Sequence, residues 1–222
     1  MRAGWFGPAL AAHLPALASA YAIDRRLDRN DVALTFDDGP HPEGTPAVLD
    51  ELASAGATAT FFLIGEQVRA WPALAAEIVA AGHEVGLHGD RHTLLLRRRV
   101  QELRADLERA AATIEEATGR VPVLYRPPYG VFSSGGLALV RALGYRPLLW
   151  SRWGRDWERR ATPVSISRRV TTRLAPGDVV LLHDSDAYSS VGSWTRTAAA
   201  LPSVLEAVAT LGVSSIAVTQ ST

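Results

Sequence analysis

The sequence predicts an α/β chain built on a parallel sheet, closed or nearly closed into a barrel, and three observations carry that expectation. Seven short β-branched or apolar runs alternate with helical patterns along the 222 residues. Glycines stand where helices should stop before the next strand. The residues with chemical capacity fall at the C-terminal ends of several different runs, where barrel enzymes keep their sites. An open doubly wound sheet is the alternative, although no glycine-rich phosphate loop follows the first strand.

The predicted strands are Val32–Phe36, Thr58–Ile64, Glu84–Leu87, Val121–Tyr125, Tyr145–Trp150, Val179–Leu182 and Ser215–Val218. The clearest helix places Val100, Leu103, Leu107, Ala110, Ile114 and Ala117 on one face, three and four residues apart, and Gly119 ends it. Gly56, Gly82, Gly144 and Gly212 mark the other helix stops. No linker, repeat or low-complexity tract separates the elements.

Twenty-three basic residues, all arginine, balance twenty-three acidic ones, so neither nucleic acid nor an anionic membrane is favoured as the main partner. The absence of cysteine removes disulfides and thiolate chemistry, and any metal must be held by histidine and carboxylate. Residues 1–28 read as a separate N-terminal segment. Within it, residues 3–23 carry no formal charge apart from His13 when protonated, and Ala18-Ser19-Ala20 resembles a signal-peptidase site, which would suit the cell envelope or secretion. Pro8 and Pro15 interrupt the run, and Arg25, Arg26 and Arg29 follow it, which favours a cytoplasmic orientation. Signal peptide, membrane-surface contact and packed helix all stay open, and a spanning helix is least favoured.

Five clusters carry chemistry. Asp37 and Asp38 precede Gly39-Pro40 at the end of the first strand, so two carboxylates pointing different ways are held at a strand tip; a capped surface turn is the plainer account. His88 and His92, four apart, can reach one metal together, and with Asp38 they make a three-ligand set with open positions. Arg126 precedes the stiff Pro127-Pro128-Tyr129-Gly130 turn and could pair with a carboxylate. Asp156-Trp157 follows the fifth strand, and His183-Asp184 emerges from the apolar Leu181-Leu182, where a buried structural histidine is the ordinary explanation.

These clusters, with Ala59-Thr60-Phe61-Phe62, Gly82-His83-Glu84-Val85-Gly86 and Ala200-Leu201-Pro202, resemble the polysaccharide deacetylase (NodB-homology) family from Asp31 to Val218. The resemblance implies a distorted (β/α)₇ barrel, with residues 29–222 as the catalytic domain. It implies that Asp38, His88 and His92 hold a divalent metal, Zn²⁺ ahead of Co²⁺ or Ni²⁺, and that Asp37 is the general base, oriented by Arg126. His183 would be the general acid, its protonation set by Asp156, and the Tyr129 backbone N–H would join the oxyanion hole. Pro128, Tyr129, Trp157 and Leu181 would line the substrate pocket. The implied activity is removal of N-acetyl groups from N-acetylglucosamine-containing glycans. An O-acetyl esterase on xylan or a similar glycan, and a non-catalytic glycan-binding barrel, are the alternatives.

Departures from the family pattern are Gly89, where a serine or threonine is usual, and Asp90, expected to be a solvated extra acid. Arg152, Trp153, Tyr188 and Trp194 are expected to shape a sugar-binding rim or else to pack as ordinary loop residues.

Overall fold

The computed structural model describes residues 7–219. Seven parallel strands form one sheet: β1 (Ala33–Asp37), β2 (Thr60–Leu63), β3 (Glu84–Leu87), β4 (Leu124–Tyr125), β5 (Arg146–Pro147), β6 (Arg152–Trp153) and β7 (Val179–His183). Their spatial order is β5-β4-β3-β2-β1-β7-β6. Helices α1 (Pro15–Ala20), α2 (Gly44–Ser54), α3 (Gly65–Ala70), α4 (Pro72–Ala80), α5 (Val100–Thr118), α6 (Ser134–Ala142), α7 (Pro163–Thr171) and α8 (Ser193–Thr210) accompany them. This is the distorted (β/α)₇ barrel.

Strand β1 is central and buried throughout, as a parallel strand covered on both faces must be. Its register sets Thr35 beside Leu181 and Asp37 beside His183. Side chains alternate across a strand, so Thr35, Asp37, Leu181 and His183 share one face. Helix α5 follows the predicted stripe, with Leu103, Leu107, Ala110 and Ile114 buried and Gly119 left-handed at φ 67° as its C-cap. Val100, expected on that face, is exposed because it stands in the first turn, beyond the covering layer. Ile114 is fully buried, so Ile114→Ala is expected to cost about 2–5 kcal/mol, read from the denaturant midpoint at unchanged m-value.

One predicted strand is corrected. Ser215–Val218 makes a single bridge, Ser215 to Val32, and is no strand. Both edges of β1 are already taken by β2 and β7. The segment instead passes beneath the N-terminal ends of the strands, with Ser215 bonded to the Thr58 carbonyl and the Val218 amide to Thr60 Oγ1. The seventh strand is β6, two residues long and too short to announce itself as a run.

The seam between β5 and the β6–β7 edge is filled by the N-terminal segment. The Leu149 amide donates to Asp24 O at 2.8 Å on one side, and the Leu27 amide to Gly177 O at 2.8 Å on the other. The Arg25 guanidinium reaches Trp150 O and Ala12 O at 2.8 and 3.1 Å. Ala11, Ala12, Ala18 and Ile23 are buried in the common core. Residues 1–6, part of the stretch read from sequence as signal-like or membrane-facing, lie outside the described residues. Among those described, no helix is long and apolar enough to cross a membrane.

Candidate active site

At the C-terminal ends of the strands, five titratable side chains converge from three strands. Asp37 and Asp38 lie at the end of β1, His88 follows β3 with His92 four residues on in an irregular loop rather than a helical turn, and His183 ends β7. Asp38 holds a left-handed φ of 79°, unusual for a residue with a side chain, and both its carboxylate and that of Asp37 come within 4 Å of His88 Nε2, at 3.4 and 3.8 Å. Directly after it, a Cβ on Gly39 would come within 2.4 Å of Asp184 Oδ2, so only glycine permits the close approach of these two loops.

Asp38 Oδ1 lies 3.4 Å from His88 Nε2 and 3.4 Å from His92 Nε2. The candidate ligand atoms of the three residues lie within 4.8 Å of one another, a group able to hold a metal ion. Two observations fit that use. Asp38 Oδ1 is buried and accepts no hydrogen bond, a costly state for a carboxylate oxygen unless a cation faces it. His88 Nδ1 donates to Arg126 O at 2.8 Å, which fixes the tautomer and leaves the Nε2 lone pair pointing at Asp38. Burial alone would raise the Asp38 carboxyl, but His88, His183 and His92 hold it down at about 2. Burial pushes the His92 imidazole down to about 4, against the pull of Asp38. Both are therefore in ligand form at neutral pH.

Asp37 stands between the metal group and Arg126, with its Oδ2 3.8 Å from His88 Nε2. Its Oδ1 accepts from Arg126 Nη1 at 2.7 Å, and both residues are buried. Arg126 is saturated: Nη1 also donates to Thr35 Oγ1, Nε to Leu148 O and Nη2 to Leu149 O, while its plane lies 4.1 Å from the Phe62 ring centroid. Burial lowers the Arg126 pKa, and the attraction and hydrogen bond of Asp37 offset only part of that.

His183 Nδ1 donates to Asp156 Oδ1 at 2.9 Å, and the His183 amide donates to Asp156 Oδ2 at 2.7 Å. Thr197 Oγ1 supplies a third bond to this fully buried carboxylate. Burial opposes charge on the imidazole, yet Asp156 overrides it and raises His183 to about 10. The site thus sets a cationic histidine beside Asp37, its register neighbour on β1, two groups that can take separate acid and base roles.

The remaining predicted residues surround these. Tyr129 has φ 61° in the turn after Pro128 and is 60% exposed, with its ring edge-on to His92 at 4.5 Å. Trp157 meets the His183 ring edge-on at 5.3 Å. Leu181 and Pro128 are buried, Leu181 two residues below His183 on the same face.

Some expectations change. Asp90 is not solvated: it is 3% exposed, 2.6 Å from Arg69 and 3.4 Å from Arg109. The loop that lost a hydroxyl at Gly89 is tied down through α5 instead, where Asp106 Oδ2 accepts from the Asp90 amide at 2.9 Å and Arg98 bonds both Asp106 and Thr93. Arg152 turns from the rim to Asp178, at the opposite end of β7. Sequence reasoning gave no role to Asp184. It is fully buried behind the Asp38 loop, accepts from Thr45 Oγ1 at 2.5 Å, and burial pushes it up to about 7. Its signal was an acid directly following a histidine at the end of an apolar strand.

Comparison with known proteins agrees with this geometry. The family model described as polysaccharide deacetylase matches residues 24–148, more than half of the chain. The chain belongs to the polysaccharide deacetylase family. As a member it is a hydrolase acting on carbon–nitrogen bonds other than peptide bonds. It is 33% identical to a chitooligosaccharide deacetylase of Azorhizobium caulinodans, over 83% of this chain and 91% of that one. It is 36% identical to a peptidoglycan-N-acetylglucosamine deacetylase of Bacillus cereus, over 78% and 79% respectively. A crystal structure of a peptidoglycan N-acetylglucosamine deacetylase bound to a naphthyl N-hydroxybenzamide superposes with TM-score 0.83 at 28% identity, covering 91% of this chain and 93% of that one. A pseudoenzyme of the same esterase family from Bacillus anthracis also matches, with TM-score 0.78 at 27% identity over 88% and 66%. The fold therefore occurs in proteins named as enzymes and in one named as a pseudoenzyme.

Proposed function

We propose that this polysaccharide deacetylase is a divalent-metal-dependent N-deacetylase of glycans containing N-acetylglucosamine, such as peptidoglycan or chitin-like oligomers. The observation that carries the reading is the flanking of the Asp38–His88–His92 group by an arginine-held carboxylate and an aspartate-held histidine. Relatives named for chitooligosaccharide and for peptidoglycan support the substrate class, and the latter support action at the cell envelope. We take residues 29–222 as the catalytic domain, with the described part of residues 1–28 packed against it.

An amide is a poor electrophile and an amine a poor leaving group, so hydrolysis needs help at both ends. His88, His92 and Asp38 would hold the metal through two imidazole nitrogens and a carboxylate, a donor set suited to Zn²⁺, with Co²⁺ or Ni²⁺ as substitutes. When bound, the ion supplies Lewis-acid polarisation of the acetyl carbonyl and lowers the pKa of water from about 15.7 to roughly 7. Asp37, oriented by its hydrogen bond from Arg126, takes the proton of the attacking water, a role worth on the order of 10²–10⁴ in rate. The Tyr129 amide would donate to the developing oxyanion, worth about 3–4 kcal/mol in a dry site. His183, already cationic, passes its proton to the departing amine. Leu181 and Trp157 give the acetyl methyl an apolar wall, and Pro128 stiffens the turn that carries Tyr129.

The test is release of glucosamine units from N-acetylated chitooligosaccharides or peptidoglycan. Chelation should abolish it, and Zn²⁺ or Co²⁺ should restore it. Metal-loaded protein that releases nothing from any acetylated glycan would sink the reading. The same site would also serve an ester, and a similar structure is named as a family 4 carbohydrate esterase from Streptomyces lividans. Parallel rates on acetylxylan and chitooligosaccharide separate the two activities.

A further inference from the structure

The two histidines of the metal group are held in different ways. His88 has the usual arrangement, its Nδ1–H donating to a backbone carbonyl. His92 has none: its Nδ1 is buried and makes no hydrogen bond among the described residues. Asp38 faces its Nε2 at 3.4 Å, but no hydrogen bond at Nδ1 fixes the rotation of its ring. Two aromatic rings pack on it. The Tyr188 ring lies parallel to it at 4.5 Å with an interplanar angle of 12°, and the Tyr129 ring stands edge-on at 4.5 Å.

Tyr188 is itself anchored. Its hydroxyl donates to Glu66 Oε1 at 2.5 Å and accepts from Gln67 Nε2 at 3.3 Å. Both partners sit in the first turn of α3. The same turn holds the histidine loop by its backbone, the Gly65 and Glu66 amides donating to Gly89 O and Asp90 O at 2.9 and 3.0 Å. One helix end thus fixes the loop and the ring that stacks on it.

We propose that Tyr188, clamped by Glu66, is the positioning residue for the metal ligand His92, doing by ring packing what a hydrogen bond does for His88. This rests on the reading of Asp38, His88 and His92 as metal ligands. Partners that orient a ligand are typically worth 10–100-fold in metal affinity. Stacking with a clamped ring restricts the imidazole to one plane, and loss of that ring leaves it free to turn its Nε2 away from Asp38.

The experiment measures Zn²⁺ and Co²⁺ affinity by chelator competition, together with the visible spectrum of the Co²⁺ form, for the wild type, Tyr188→Leu, Tyr188→Phe and Glu66→Gln. Tyr188→Leu is expected to weaken affinity 10–100-fold and to change the Co²⁺ spectrum, with kcat recovering at saturating metal. Tyr188→Phe keeps the ring and should retain most of the affinity; Glu66→Gln should fall between. Thermal melts of the metal-free proteins separate a misfolded variant from a mispositioned ligand, and Tyr188→Phe keeps the assignment open to test if Tyr188→Leu does not fold. The assignment is overturned if folded Tyr188→Leu binds metal within about twofold of wild type with an unchanged spectrum, or if Tyr188→Phe loses as much as Tyr188→Leu. A wild type that binds no divalent ion overturns the metal reading itself.

Discussion

Asp37→Asn is expected to lower kcat by about 10²–10⁴ at neutral pH while leaving metal content unchanged. The amide is nearly the same shape and can still accept from Arg126 Nη1, which lies 2.7 Å from Oδ1 in the native protein. Asp38, whose oxygen faces both imidazole Nε2 atoms, is untouched. What disappears is the only function an amide cannot copy, taking a proton from water. Single-turnover rates with metal stoichiometry measured on the same sample check this. A variant that keeps its rate would remove Asp37 from the mechanism and bring forward the non-catalytic reading. Arg126→Met is the complementary change and acts differently. It strips the donors from Thr35, Leu148 O and Leu149 O and leaves Asp37 buried without a partner charge. Breaking such a pair costs about 3–5 kcal/mol of stability, so a large fall in denaturant midpoint should accompany any loss of rate.

The contrast between those two variants also marks what the sequence could convey. Asp37, Asp38, His88 and His92 were legible because their spacing is local, although the histidines sit on an irregular loop with Gly89 at φ 105° and not on the helical turn that a spacing of four suggests. Helix α5 was legible for the same reason, its stripe repeating over four turns. Apart from Asp37, the partners of Arg126 were not, because two are carbonyls of residues 148 and 149, brought close by the pairing of β4 with β5. Ser215–Val218 has the composition of a strand, and it fails as one only because β1 has no free edge. Asp90 reads as a surface acid until α3 and α5 supply Arg69 and Arg109. Residues 24–27 read as the charged flank that follows a signal-like stretch, and their role as filler of the seam is a property of the curled sheet.

Asp156→Asn should move the alkaline limb of kcat/KM to lower pH by several units. In the native site, burial pulls His183 toward the neutral form and Asp156 outweighs it, giving a pKa of about 10. The imidazolium therefore persists across the neutral range, ready to protonate the leaving amine. Without the Asp156 charge, burial is opposed only by the smaller contributions of Asp38 and Asp37, and the value falls from about 10. At pH 8 the variant should be slow because its general acid is already deprotonated, and part of the rate should return as the pH is lowered. The same shift has a stability signature. A group whose folded pKa exceeds its unfolded value stabilises fully below the unfolded value, near 6.5, and loses that contribution as pH rises through the folded value. Wild-type stability should therefore decline between about pH 6.5 and 10 from this group. Asp156→Asn should flatten the slope in that window while lowering stability at pH 6, where the ion pair is intact in the native protein. Coincident limbs for the two proteins would mean that His183 is not the proton donor, since no other group in the site has an aspartate bound to both its ring and its backbone amide.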